Sequence, residues 1–392
     1  MSTDPPAPPA DAPRLRLARV ELREIRLPLV EPFRISSGVC TERRILLLRL
    51  EDASGVVGWS ECVAGEQPNY SAETIDTAWL AIREWLAPRL LGVELARPGD
   101  ADARLQANVV GHPMAKAALE MGTWDVAARL AGVPLARLLG GTRERVEVGI
   151  SLGIQASPEA LAERAARAKA EGYRRVKVKI EPGADVAYVA AAREAVGEGF
   201  PLSVDANSAY HVSFGAMDDL ERLRELDAYG LAMIEQPLRQ DDLLRHSWIA
   251  RELATPICLD ESITDVGRLE DALMLQSCRI VNVKPGRVGG FTEAGRIHDE
   301  CRVNGVPVWC GGMLESGIGR AHNVALASLP NFTMPGDLSP SARYWARDVV
   351  TPSWTMDEAG TMRVPLDRPG IGVEVDEGFV DDLTVRRETL GG

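Results

Sequence analysis

RRVKVKI (174–180), PLSVDAN (201–207), LAMIEQP (231–237), PICLDES (256–262) and IVNVKP (280–285) decide the fold of this chain. Each is a short apolar run that ends near an ionisable residue: Lys179, Asp205, Glu235, Asp260 and Lys284 in turn, separated by 26, 30, 25 and 24 residues. That interval holds one strand, one helix and two short loops, so the pattern predicts parallel strands joined by helical crossovers. Working outward, VEVGIS (146–151) precedes the five, while VPVWCGG (306–312) and NFTMPGD (331–337) follow. Helical stretches such as 158–171 and 185–196 lie between. Eight candidate strands at one regular spacing predict an α/β fold of the (β/α)8, or TIM-barrel, type.

The flanks read differently. LARVELREIRLPL (17–29) alternates apolar and polar residues, and RRILLLRLEDASGVVGWSE (43–61) reads as a hairpin turning near Ala53-Ser54-Gly55. Helical stretches follow at 72–85, 100–109 and 114–131, the last ended by Gly132-Val133-Pro134. Strands followed by a block of helices predict an α+β domain over 14–140. The barrel is expected over 141–349. The strand-and-turn tail 350–392 is expected to pack back on the N-terminal domain. MSTDPPAPPADAP (1–13) has neither a basic nor an apolar signal-peptide region and reads as a disordered leader.

Composition limits the function. The 392 residues are 45% hydrophobic and only 5% aromatic, so the core is expected to be aliphatic. Forty-four basic against 57 acidic residues give a net charge of −13, which disfavours nucleic acid and anionic membrane as partners. No apolar run approaches the roughly 20 residues that span a bilayer. The six cysteines lack metal-ligand spacing and mostly lie in apolar runs, as expected of a cytoplasmic protein.

Barrel geometry brings the five charged strand ends to one mouth, the C-terminal one, where barrel enzymes place their chemistry. Any one acid there is equally well read as a helix N-cap. Three carboxylates from adjacent strands are harder to explain, because their repulsion in a partly buried mouth costs several kcal/mol unless a cation neutralises it. Asp205, Glu235 and Asp260, with no His or Cys beside them, predict a hard divalent ion, Mg2+ or Mn2+. Lys179 and Lys284 lie on strands four apart in a ring of eight and so face each other across the mouth. A substrate carboxylate on the metal then holds its α-carbon between two amines, an arrangement suited to α-proton abstraction with a metal-stabilised enediolate. Lys177, two residues before Lys179 on the same strand face, and Arg287, three beyond Lys284, are candidates to lower the lysine pKa values. CGGMLESGIGR (310–320) offers glycines that let backbone amides approach an anion. Phe33 and Arg34, in EPFRISSG (31–38), belong either to a flap over the mouth or to a plain turn. The five histidines are scattered, and no hydrolase or phosphate-loop motif is present.

VKVKI (176–180), VDAN (204–207), IEQP (234–237), LDES (259–262) and VKPGRVGG (283–290) occur in the order and at the strand ends seen in the enolase superfamily. The chain resembles its muconate-lactonizing-enzyme-like subgroup, and is most similar there to the o-succinylbenzoate synthase/N-acylamino acid racemase family. The likeness runs from about Arg14 through PGDLSPSARYW (335–345) and includes the N-terminal capping domain.

The resemblance implies Asp205, Glu235 and Asp260 as Mg2+ ligands and Lys179 and Lys284 as the acid/base pair. It also implies Ser151, Asn207, Lys177 and the backbone near Gly312, Met313 and Leu314 around the substrate, with Phe33 of the candidate flap expected there as well. The implied reactions are dehydration of 2-succinyl-6-hydroxy-2,4-cyclohexadiene-1-carboxylate, a step of menaquinone biosynthesis, and racemisation of N-succinylamino acids. Arg287 matches an arginine associated with the racemising branch. A homo-oligomer, dimer or octamer, is expected. Asp337-Leu338-Ser339 keeps only the first acid of the Asp-x-Asp of dipeptide epimerases, so it does not fit a dipeptide substrate. A dedicated racemase, a muconate cycloisomerase-like lyase and a non-catalytic metal-binding barrel remain as alternatives, as does Schiff-base chemistry at either lysine.

Overall fold

The computed structural model describes residues 14–35, 38–215 and 217–392, so the leader expected over 1–13 lies outside it. β1 (Leu15–Ile35), β2 (Gly38–Asp52) and β3 (Val57–Cys62) form an antiparallel meander. Its second turn falls where Ser54 donates from its amide and hydroxyl to the Asp52 carboxylate, the hydrogen bonding that favours Asp at a turn start. A short β4 (Glu94–Leu95) pairs with the start of β1. The helix Pro113–Leu130 packs on this sheet and is buried on nearly every side, because the barrel covers its other face. Gly122 lets it approach: a Cβ there would sit 2.4 Å from Leu50.

The expected first barrel strand divides in two. β5 (Arg145–Glu147) turns outward to pair with a strand of the C-terminal tail, and β6 (Gly149–Leu152) enters the barrel. β7 (Arg175–Lys179), β8 (Leu202–Asp205), β9 (Ile234–Glu235), β10 (Ile257–Leu259), β11 (Ile280–Val283) and β12 (Val308–Cys310) follow, all parallel and in chain order. The eighth expected strand, 331–337, is not a strand along its length. It closes the ring through two parallel bridges, Val308 to Phe332 and Val148 to Gly336. Pro335 and Gly336 account for the interruption, since one lacks a donor and the other a side chain to pack.

In the tail, β13 (Val350–Thr351) pairs with β15 (Glu374–Val375), β14 (Thr361–Arg363) with β5, and β16 (Thr384–Gly391) with β1. Helix starts follow the sequence signals. Ser157, Asp242, Asp265 and Ser316 cap their helices through their side chains. Among the described residues no helix is long and apolar enough to cross a membrane.

Candidate active site

Parallel register brings the five charged strand ends together. Lys179 pairs with Asp205, and Asp205 with Glu235; Glu235 stands level with Cys258, two residues before Asp260 on the same face. Asn282 and Lys284 alternate in the same way beyond Ile280, the partner of Cys258. The inward face therefore carries Lys177 and Lys179, Asp205, Glu235, Asp260, and Asn282 with Lys284. Deeper on that face, Met233, Cys258, Ile280 and Trp309 form a small apolar cluster of their own. β7 and β11 are four places apart in the sheet, so Lys179 and Lys284 approach from opposite sides.

The charges are paired, and all but the half-buried Lys179 are buried. Lys179 Nζ donates to Asp205 Oδ2 at 2.5 Å and to Asn207 Oδ1 at 2.6 Å. Lys284 Nζ donates to Asp260 Oδ2 at 2.6 Å, and the Arg287 guanidinium lies 3.1 Å from the other Asp260 oxygen. Lys177 Nζ donates to Glu235 Oε2 at 2.8 Å, and Asn282 Nδ2 donates to Glu235 Oε1 at 2.7 Å. Burial pushes the Glu235 carboxyl up to about 7, helped by the neighbouring Asp205 and Asp260, and Glu261 for the same reasons up to about 8. Burial also acts on Asp205 and Asp260, yet both are held below the ordinary range, Asp205 by Lys179 and Lys177 and Asp260 by Lys284 and Arg287.

These partners change two expectations. Lys177 is enclosed beneath the mouth with its charge shared among carboxylates, so it is not a free positive neighbour for Lys179. The lowering expected at Lys284 beside Arg287 is not found. Burial opposes the Lys284 ammonium, but Asp260, helped by Tyr70, Glu261 and Glu235, outweighs burial and holds its pKa well above the usual value.

The other expected residues surround the cluster. Ser151 on β6 is level with Lys177, and its buried hydroxyl has no partner. Asn207 has a left-handed backbone (φ 43°) and donates from its side chain to Glu261 Oε1 at 2.9 Å. Gly312, Met313 and Leu314 form the half-buried loop after β12, with Met313 packed on the capping domain's core and Leu314 on the barrel's. Phe33, half-buried, lies near the end of β1, where Arg34 reaches the mouth: its carbonyl accepts from Ile154 N and its guanidinium lies 3.5 Å from Glu181. The hairpin thus touches the mouth as a flap does.

Three further participants stand beside the cluster. Tyr70 comes from the capping domain, its hydroxyl 3.0 Å from Lys284 Nζ and 3.2 Å from Asp260. Asn282 is polar within an apolar run, which was the one available hint. Gly311 is required by close packing: a Cβ there would lie 2.4 Å from Asn282 Oδ1 and 2.5 Å from Lys284 Cε. Asp337 is buried and ion-paired to Lys177 and Arg175, so its carboxylate is already committed and not free for a substrate amine.

Among the described residues no three His, Cys, Asp or Glu side chains stand gathered to hold an ion; the carboxylates are paired with lysines instead. The donor set nevertheless fits a hard dication. Its donors are all oxygens, Glu261 Oε2 and Asn282 Oδ1 are buried without partners, and the raised Glu235 and Glu261 mark a cluster short of positive charge.

Comparison with known proteins agrees with this geometry. Residues 18–140 match the mandelate racemase/muconate lactonizing enzyme N-terminal domain and 160–379 the enolase C-terminal domain-like family. An o-succinylbenzoate synthase of Geobacillus kaustophilus is 47% identical over 94% of this chain and 96% of its own. An N-succinylamino acid racemase of an Amycolatopsis species is 45% identical over 96% of this chain and 100% of its own. The crystal structure of an enolase-superfamily member from Listeria innocua superposes with a TM-score of 0.91, at 38% identity, over 96% of this chain and 99% of that one. Members of this superfamily use a divalent metal. The chain belongs to the enolase superfamily, among the relatives of o-succinylbenzoate synthases and N-succinylamino acid racemases.

Proposed function

We propose that this chain is a Mg2+-dependent o-succinylbenzoate synthase that also racemises N-succinylamino acids, with Lys179 and Lys284 as the proton-transfer pair. The observation that carries the reading is the placing of two lysines, Lys284 buried and Lys179 half-buried, on strands four apart, with carboxylates on the strands between them. Asp205, Glu235 and Asp260 would hold the cation, with Mn2+ an acceptable substitute. When bound, it neutralises their charge and draws electron density from a substrate carboxylate, acidifying the α-carbon.

Lys179 and Lys284 address opposite faces of that carbon. In racemisation one takes the α-proton and the other returns a proton to the far face. In dehydration the α-proton goes first, to a lysine, and the hydroxyl then leaves, protonated, as water. Tyr70 and Asn207 hold the two ammonium groups in place, and the flap carrying Phe33 limits water. The unpartnered Ser151 hydroxyl is free to accept or donate to the substrate. Six unpaired cysteines accord with a reducing cytoplasm, and a homo-oligomer remains part of the reading.

Proton NMR in D2O with Mg2+, following the α-proton of each enantiomer of an N-succinylamino acid, tests this. Exchange of both enantiomers with loss of optical rotation is expected. Activity that survives complete removal of divalent metal would overturn the mechanism. Turnover of the cyclohexadiene substrate alone would leave a dedicated synthase.

A further inference from the structure

Beneath the carboxylates lies a second layer of buried charge that the reaction itself does not use. Lys177 Nζ lies 2.7 Å from Asp337 Oδ2, 2.8 Å from Glu235 Oε2 and 3.3 Å from Asp205 Oδ2. The other Asp337 oxygen accepts from Arg175 Nη2 at 3.0 Å, and the Asp337 carbonyl accepts from Arg320 at 2.8 Å. The Arg175 guanidinium lies over the Trp309 ring, 4.1 Å from its centre, and the Lys177 ammonium lies 4.6 Å from the same centre. Arg175, Lys177 and Asp337 are 0%, 3% and 6% exposed.

A dry ammonium needs a counter-ion. If Asp205 and Glu235 turn to a dication, Lys177 loses two of its three carboxylates, and only Asp337 remains to hold it. We infer that Asp337, fixed by Arg175 against Trp309, is a positioning residue that anchors Lys177 and so frees Asp205 and Glu235 to bind the cation. The inference rests on the reading of Asp205 and Glu235 as metal ligands. Without Asp337 the lysine has no partner except those two carboxylates and competes directly with the ion.

The test is Mn2+ alone titrated into the full chain, with free ion followed by EPR. Asp205→Asn checks the underlying reading: lost binding supports it, and unchanged binding overturns both that reading and this inference. With Asp205 passing, Asp337→Asn is expected to bind Mn2+ about 10- to 100-fold more weakly. Asp337→Glu, which keeps the charge, is expected to recover most of that loss.

Lys177→Met and the double variant Lys177→Met/Asp337→Asn complete the cycle and remain informative if Asp337→Asn fails to fold. Once Lys177 is gone, removing Asp337 is expected to change Mn2+ affinity by less than about threefold. A folded Asp337→Asn with wild-type affinity overturns the inference. So does a further tenfold loss in the Lys177→Met background, which would show Asp337 acting independently of the lysine.

Discussion

Two sets of buried carboxylates serve different ends in this molecule. At the barrel mouth Asp205, Glu235 and Asp260 are paired with ammonium and guanidinium groups. At the seam between capping domain and barrel, Glu61 and Glu120 are held mainly by helix N-termini. Glu61 accepts from the amides of Ser316 and Gly319 and from the Ser316 hydroxyl. Glu120 accepts from the amides of Phe291 and Thr292, the Thr292 hydroxyl and the Trp124 indole.

Backbone amides are fixed donors that cannot leave, so the seam joins two domains permanently. Lysine side chains are flexible and exchangeable, so the mouth can trade its cations. The same residue type is structural in one place and reactive in the other because its partners differ.

The contrast is sharpest at the lysines. Lys179→Ala and Lys284→Ala are each expected to lower turnover by about 10^3-fold or more while leaving the chain folded, checked by kinetics beside circular dichroism. Glu120→Ala should do the reverse. It leaves two helix-terminal amides without an acceptor and is expected to lower unfolding free energy by about 3 kcal/mol in a urea titration. If it reduced activity without altering stability, the division between seam and mouth would fail.

Titration sharpens the seam further. Burial pushes both Glu61 and Glu120 up to about 7, from 4.5 when unfolded. Between those values the folded state binds the extra proton, so their contribution to stability is largest at the acidic end and declines as pH rises towards 7. Glu61→Gln is expected to remove roughly 3 kcal/mol of that decline, measured by denaturant titration from pH 5 to 8. An unchanged profile would mean that the Glu61 carboxyl is not raised.

Smaller effects follow. Gly311→Ala forces a methyl group against Asn282 and Lys284 and is expected to reduce turnover about 10-fold, with little effect on the midpoint of unfolding. The exposed Arg167–Glu163 pair is the control. Breaking it with Glu163→Gln should alter stability by under about 0.5 kcal/mol and leave activity unchanged.

Much of this was legible in the sequence because strands at regular intervals fix which end of a parallel barrel each charge reaches. Lys179, Asp205, Glu235, Asp260 and Lys284 needed only their strand positions to be placed together. Tyr70 was not legible, nor was the packing that requires Gly311, since these contacts are made across domains or between strands. The interrupted eighth strand escaped for a related reason, as Pro335 and Gly336 weaken strand pairing without moving the chain away from its neighbours. Lys177 and Arg287 share carboxylates with the lysines they were expected to neighbour, but those carboxylates were not foreseen, because spacing along the chain says nothing about which carboxylate lies nearest.

The sequence by itself determined the barrel, the mouth and the five charged groups that face it, because βα periodicity and pleat alternation are local rules repeated along the chain. Only the tertiary structure decided which charges pair and how deeply they are buried. It also placed Tyr70 on Lys284 and Asp337 beneath Lys177. Those outcomes depend on distances and dielectric surroundings that exist only once distant segments have packed together.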